Sequence, residues 1–119
     1  ALVDTSAAVC ALPLTNHTRG LVRYRHLTLM RRDAVFVNVG RAEVVDRGDM
    51  LKVLKERPSF IYASDVWWGR DEFYKDSEFY TLPNVVATPW VAGGYGNVEV
   101  WKKMAIDAVE NLMIWAQGG

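Results

Sequence analysis

The run Ala34–Val39, AVFVNV, is β-branched or aromatic on both of its faces, with Asn38 the one polar interruption. A strand with one wet face alternates polar and apolar residues. A short run that is apolar on both faces needs cover above and below, which is the pattern of a parallel sheet flanked by helices. Parallel neighbours must be joined by crossovers, so a chain built this way alternates strands with helices.

The remaining segments follow that alternation. AAVCAL, from Ala7 to Leu12, is an apolar run ending at Pro13, and reads as a buried strand followed by a polar loop to Gly20. Leu21 to Met30 mixes apolar and basic positions and reads as a stretch that holds a short, irregular helix. In DRGDMLKVLKERP, Asp46 or Asp49 can cap a helix whose apolar face is Met50, Leu51 and Leu54, and Pro58 stops it. A third strand is expected from about Phe60 to Ala63, and a fourth at Val85–Thr88, closed by Pro89. Between them runs a long aromatic and acidic loop. Its Trp67, Trp68, Phe73, Tyr74, Phe79 and Tyr80 read as packing for a partner subunit or a second domain. Asn97 to Ala116 reads as one long amphipathic helix, with Val98, Trp101, Ala105, Ala108, Leu112 and Trp115 recurring every three or four residues.

Composition narrows the function classes. A chain of 119 residues fits one small domain, and with half its residues hydrophobic it can form a packed core. Fourteen basic residues balance fourteen acidic ones, so no field favours nucleic acid or an anionic membrane surface, and no segment approaches the roughly 20 apolar residues of a membrane span. The single cysteine, Cys10, precludes a disulfide within the chain and suits a reducing, cytoplasmic compartment. In that setting Asn16–Thr18 is a chance match to the glycosylation pattern. No His/Cys/Asp/Glu group has metal-ligand spacing, and no Ser or Cys sits in a nucleophile elbow.

Ligands of parallel α/β sheets bind outside the carboxyl ends of the strands. Three segments carry polar groups away from strand ends: PLTNHT, NVGR and SDVWW. Arg41 closes the second. Its guanidinium stays charged and can grip a carboxylate with two parallel hydrogen bonds. The plain alternative is a surface arginine in a strand-to-helix loop.

The order and spacing of AAVCALPLTNHTRGLV, MRRDAVFVNVGRAEVVDRGDMLKVLKE, ASDVWW and LPNVVATPWVAGG resemble the D-isomer-specific 2-hydroxyacid dehydrogenases over nearly the whole chain. The likeness is to the second half of that family's nicotinamide-binding domain. It implies an α/β fold: the C-terminal part of a Rossmann-type doubly wound parallel sheet, ending in the long helix. It also implies a partial dinucleotide-binding domain over residues 1–119. The G-x-G-x-x-G turn and the acidic ribose-binding residue are expected to precede Ala1, and the substrate-side domain is expected elsewhere. GGYG at Gly93–Gly96 has the wrong spacing for that turn.

By the same resemblance, hydride passes between NAD or NADP and a small 2-oxoacid or D-2-hydroxyacid. The N-x-x-R pattern at Asn38–Arg41 gives Arg41 the substrate carboxylate and the polarised carbonyl. The family's Gly after this Arg is Ala42 here. The family's catalytic Glu falls by usual spacing on Arg70, and Glu72 is the favoured substitute, with Asp71 as the alternative. Leu12 and Pro13 would wall a cofactor ring, Thr18, Val39 and Gly40 would line its path, and Asp65 would accept from the nicotinamide carboxamide or ribose. Gly93 and Gly94 either let the chain approach the nicotinamide or simply open the last helix. The family's acid–base His is replaced by Trp90, whose indole donates a hydrogen bond but neither takes nor releases a proton near neutrality. Of the two histidines, His26 reads as a surface residue and His17 as an ordinary loop residue that could face the crevice. The resemblance further implies a homodimer. The Trp90 change also favours a rival: a catalytically impaired dinucleotide-binding or scaffold module of the same fold. A truncated product that survives by pairing with another chain is the third possibility.

Overall fold

The computed structural model describes residues 1–69, 72–91 and 97–118. Four short strands, β1 (Ala7–Cys10), β2 (Val35–Asn38), β3 (Ile61–Ser64) and β4 (Val85–Ala87), pair in parallel in the order β1-β2-β3-β4. The register aligns Cys10 with Asn38 and Asn38 with Ser64, while Ser64 aligns with Ala87. All four carboxyl ends therefore finish in one row, on one edge of the sheet.

Helix α1 (Tyr24–Leu27) lies between β1 and β2, and α2 (Arg47–Glu56) lies between β2 and β3. Helix α1 is the short helix expected within Leu21–Met30, and ahead of it an isolated parallel bridge pairs Val22 with Val45. Asp46 supplies the cap of α2, accepting from the Asp49 N–H at 2.9 Å. Asp49 turns elsewhere, to the Tyr24 N–H at 2.9 Å and Arg23 Nε at 3.1 Å. These contacts, the Tyr24 backbone first, hold its carboxyl below the usual range. The aromatic loop between β3 and β4 forms a 3-10 turn (Phe73–Asp76) and α3 (Ser77–Tyr80). Helix α4 runs from Val98 to Ala116, and its Asn97 cap accepts from the Glu99 and Val100 N–H groups.

The core lies on one face of the sheet. Phe36 and Tyr62 point into it, with Leu27 of α1, Met50, Val53 and Leu54 of α2, Phe60, Trp67 and Phe79. Both inner strands bury every second residue, and their other residues stay partly exposed. Full cover on both faces is thus corrected to full cover on one. Helices α1 and α2 and the aromatic segment all supply the same side. The aromatic residues also correct the expectation of an external partner. Trp67 and Phe79 are fully buried in this chain's own core, their ring centroids 6.1 Å apart, and Tyr62 stands edge-on to Trp67. Burial pushes the Tyr62 hydroxyl up to about 12. Tyr74, at 69% exposed, is the aromatic side chain of that segment left most open to solvent among those described.

A buried ion pair fixes the aromatic segment. Arg47 Nε meets fully buried Asp76 at 3.1 Å, and the other Asp76 oxygen accepts from the Gly69 N–H at 2.7 Å. Asn84 is buried as well, its amide donating to the Leu54 and Phe60 carbonyls. Among the described residues no helix is long and apolar enough to cross a membrane, and no group of three His, Cys, Asp or Glu could hold a metal ion.

Candidate active site

The row of strand ends is held together by its own backbone. Past the last ladder positions, the Val39 and Gly40 N–H groups both donate to the Cys10 carbonyl, at 3.0 and 3.2 Å. Asp65 N–H donates to the Asn38 carbonyl and Thr88 N–H to the Ser64 carbonyl. A Cβ added at Gly40 would lie 2.6 Å from the Leu12 carbonyl oxygen and 2.9 Å from the Leu12 nitrogen. Gly40 is therefore required for the close approach of two strand ends, and the neighbour it must clear is the chain's own backbone.

Asn38 shapes the turn that presents Arg41. Fully buried, it accepts from the Gly40 N–H and donates through Nδ2 to the Arg41 carbonyl, both at 3.2 Å, with a longer contact to the Tyr62 hydroxyl at 3.5 Å. Arg41 itself is half-buried. Its Nε is sealed from solvent and has no hydrogen-bond partner in the described residues. A buried cationic donor without an acceptor is costly. Two residues on, in the 3-10 turn Ala42–Val44, Glu43 also buries a carboxylate oxygen that has no partner among the described residues.

The other expected site residues separate into groups. Leu12 and Val39 are 40% and 47% exposed at the carboxyl edge, so apolar surface is open there to a ring. Pro13 is exposed beside them. Thr18 is occupied in bracing its loop: its hydroxyl donates to the Pro13 carbonyl at 2.7 Å and accepts from the Thr15 N–H at 2.8 Å. Asp65 is buried. Its Oδ1 accepts from Thr88 Oγ1 at 2.5 Å and the Val91 N–H at 3.0 Å, and its carbonyl accepts from the Trp90 N–H at 2.9 Å. Glu72 lies on the exposed surface, bonded to Lys75 and to the Tyr74 hydroxyl. These two partners, Lys75 first, hold its carboxyl below the usual range. Asp71, Gly93 and Gly94 lie outside the described residues.

Trp90 is half-buried with φ at 59°, a left-handed backbone that a bulky residue adopts only when its surroundings hold it there. His17 sits in the exposed loop. His26 is partly buried rather than on the surface, and its Nδ1 accepts from the Arg23 N–H at 2.9 Å. A small, mainly apolar cleft of about 250 Å³ lies beside β4, lined by Trp67, Tyr80, Ala87, Thr88 and Pro89. It is on the outer flank of the row, and Arg41 does not line it.

A parallel sheet whose strand ends share one edge, with apolar rims and Arg41 just past one of those ends, has the architecture of part of a dinucleotide-binding α/β domain. Residues 1–92 match the model for the D-isomer specific 2-hydroxyacid dehydrogenase, NAD binding domain. The chain belongs to that family.

Among relatives, glyoxylate/hydroxypyruvate reductase B of Enterobacter agglomerans is 37% identical over 113 residues, which is 94% of this chain and 34% of that protein. A Pyrobaculum aerophilum structure named "putative formate dehydrogenase" is 69% identical with a TM-score of 0.79, covering 99% of this chain and 39% of the other. A D-isomer specific 2-hydroxyacid dehydrogenase of Xanthobacter autotrophicus Py2, solved with NADPH and MES, is 31% identical with a TM-score of 0.68 over 76% of this chain and 29% of that one. The chain spans about a third of the length of the curated relatives it matches.

Proposed function

We propose that this chain is part of an oxidoreductase that passes a hydride between NAD(P)H and a small 2-oxoacid or D-2-hydroxyacid. The observation that carries the reading is Arg41, just past the carboxyl end of β2, whose Nε is buried with no acceptor among the described residues. It would hold the substrate carboxylate and steady the negative charge that develops on the carbonyl oxygen. Asn38 fixes the turn from which it projects. Leu12 and Val39 would wall the cofactor ring, with Pro13, Thr18, Gly40 and Asp65 around it. When bound, the reduced nicotinamide supplies the hydride. NAD and NADP both remain in the proposal, and the NADPH seen in the Xanthobacter relative supports the second. A cytoplasmic homodimer acting on small molecules, without nucleic acid or membrane, belongs to the same reading, and the buried free thiol of Cys10 suits it.

Proton supply is where this chain departs from its family. Trp90 cannot deliver a proton to the alkoxide, and Glu72 is tied to Lys75 and Tyr74. Loss of an acid–base group typically costs about 100- to 10,000-fold. The test is the full-length protein with glyoxylate, pyruvate or hydroxypyruvate and reduced cofactor, followed by loss of nicotinamide absorbance. Arg41→Lys is expected to weaken substrate use about 10- to 100-fold, because a point charge replaces a two-pronged grip. Cofactor binding without turnover, with activity gained in Trp90→His, would favour the impaired binding module instead.

A second reading is favoured by Trp90 together with the name of the Pyrobaculum relative. Formate oxidation breaks a C–H bond, sends its electron pair with the hydrogen to the oxidised nicotinamide, and leaves carbon dioxide. No proton moves at the reacting carbon, so residue 90 need not be an acid. Formate with NAD or NADP in oxidised form separates the two readings by a rise in absorbance.

A further inference from the structure

We infer that Asp65 is a positioning residue for the candidate site. Its carboxylate holds the Thr88–Val91 turn, and with it Trp90, beside the Asn38–Arg41 turn at the edge where cofactor and substrate would meet. The inference rests on reading that edge as a cofactor site, and it gives Asp65 a task other than direct contact with the cofactor.

Four bonds carry the argument. Asp65 Oδ1 is shared by Thr88 Oγ1 at 2.5 Å and the Val91 N–H at 3.0 Å. The Asp65 carbonyl accepts from the Trp90 N–H at 2.9 Å, and the Asp65 N–H donates to the Asn38 carbonyl at 3.2 Å. One residue thus joins the end of β2 to the turn after β4. Short bonds to a charged acceptor are roughly twice as strong as neutral ones, and this acceptor is buried. Between the two donors stands Trp90 with φ at 59°. A left-handed conformation in a bulky residue is costly and persists only where neighbours over-determine it. The bonds that flank Trp90 on both sides, all to Asp65, supply that restraint. The other end of the relay is Asn38, which holds the Gly40 N–H and the Arg41 carbonyl. The Arg41 turn and the Trp90 turn are therefore set by adjacent buried residues on neighbouring strands.

Thr88 allows a test that leaves Asp65 and Arg41 in place. Thr88→Val removes the hydroxyl donor at nearly constant shape, and Thr88→Ser returns it. In the full-length protein, NADH binding is followed by the fluorescence of the reduced cofactor, well below the melting temperature, alongside amide exchange at Trp90 and Val91. The expected result is NADH binding weakened about three- to tenfold in Thr88→Val and recovered in Thr88→Ser, with amide protection following the same order. Faster amide exchange with unchanged NADH binding would reduce the bond to a merely structural one and overturn the proposal. So would weakened binding in Asp65→Asn with none in Thr88→Val, which marks direct contact between Asp65 and the cofactor. Wild-type protein that binds neither NADH nor NADPH overturns the proposed function and this proposal together.

Discussion

Helices α2 and α4 carry apolar residues at the same spacing, and they meet opposite surroundings. In α2, Met50 and Val53 are fully buried and Leu54 is 2% exposed. In α4, no residue is buried, and Trp101, Leu112 and Trp115 stand 50%, 64% and 74% exposed. The richer apolar helix is the uncovered one. Periodicity says which face of a helix seeks cover; the neighbouring surface decides whether it gets any. Helix α2 lies between β2 and β3, and the sheet's buried face is there to receive it. Helix α4 follows the last strand, and at 19 residues it is about 28 Å long. Among the described residues no surface covers it.

The largest expected effect is on the covered side. Phe60→Ala should cost about 3–5 kcal/mol in urea denaturation, because a fully buried ring leaves a cavity in the core. A loss below about 1 kcal/mol would show that the core is not packed as described. Asn38→Ala comes next, at about 1–3 kcal/mol, since it strands the Gly40 N–H and the Arg41 carbonyl inside the protein. It should also weaken substrate use in steady-state kinetics, as the Arg41 turn loosens.

Tyr62→Phe sharpens the comparison through pH. The folded-state value of Tyr62, about 12, lies above its ordinary value near 10. Between those values the folded chain binds the proton more tightly than the unfolded chain does. Stability is therefore full below pH about 10 and falls as pH rises towards 12. Melting temperature against pH should fall less steeply over that window in Tyr62→Phe, with a residual slope from Tyr24 and Tyr80, which are also raised. The smallest effect belongs to α4. Trp115→Ala should change the unfolding free energy of the 119-residue chain by less than about 0.5 kcal/mol. A cost of several kcal/mol would mean that the face is covered in solution, for example by a second copy.

How much the sequence disclosed follows from the same contrast. Strand and helix positions came through because they rest on local patterns: β-branched runs, the Asp46 cap and Pro58. The N-x-x-R spacing pointed to Arg41, and it also marked Asn38, whose amide proves to bind both ends of that turn. The destination of the aromatic segment was not legible. Nothing in the order Trp67, Trp68, Phe79 says that the chain folds back over α2 and ties itself down through Arg47 and Asp76. The partners of Asp65 and Glu72 were equally hidden. One meets a turn some 23 to 26 residues away and the other a neighbouring lysine, and residue type alone does not distinguish them.

The contact between Gly40 and the Leu12 backbone has a practical use. In a saturation library scored only by survival of function, position 40 should accept almost nothing but glycine, because even alanine collides with a carbonyl that cannot step aside. Val39, nearly half open to solvent, should accept other apolar side chains that keep a wall for the cofactor ring. That abrupt step between adjacent codons would measure how tightly the first two strands are drawn together.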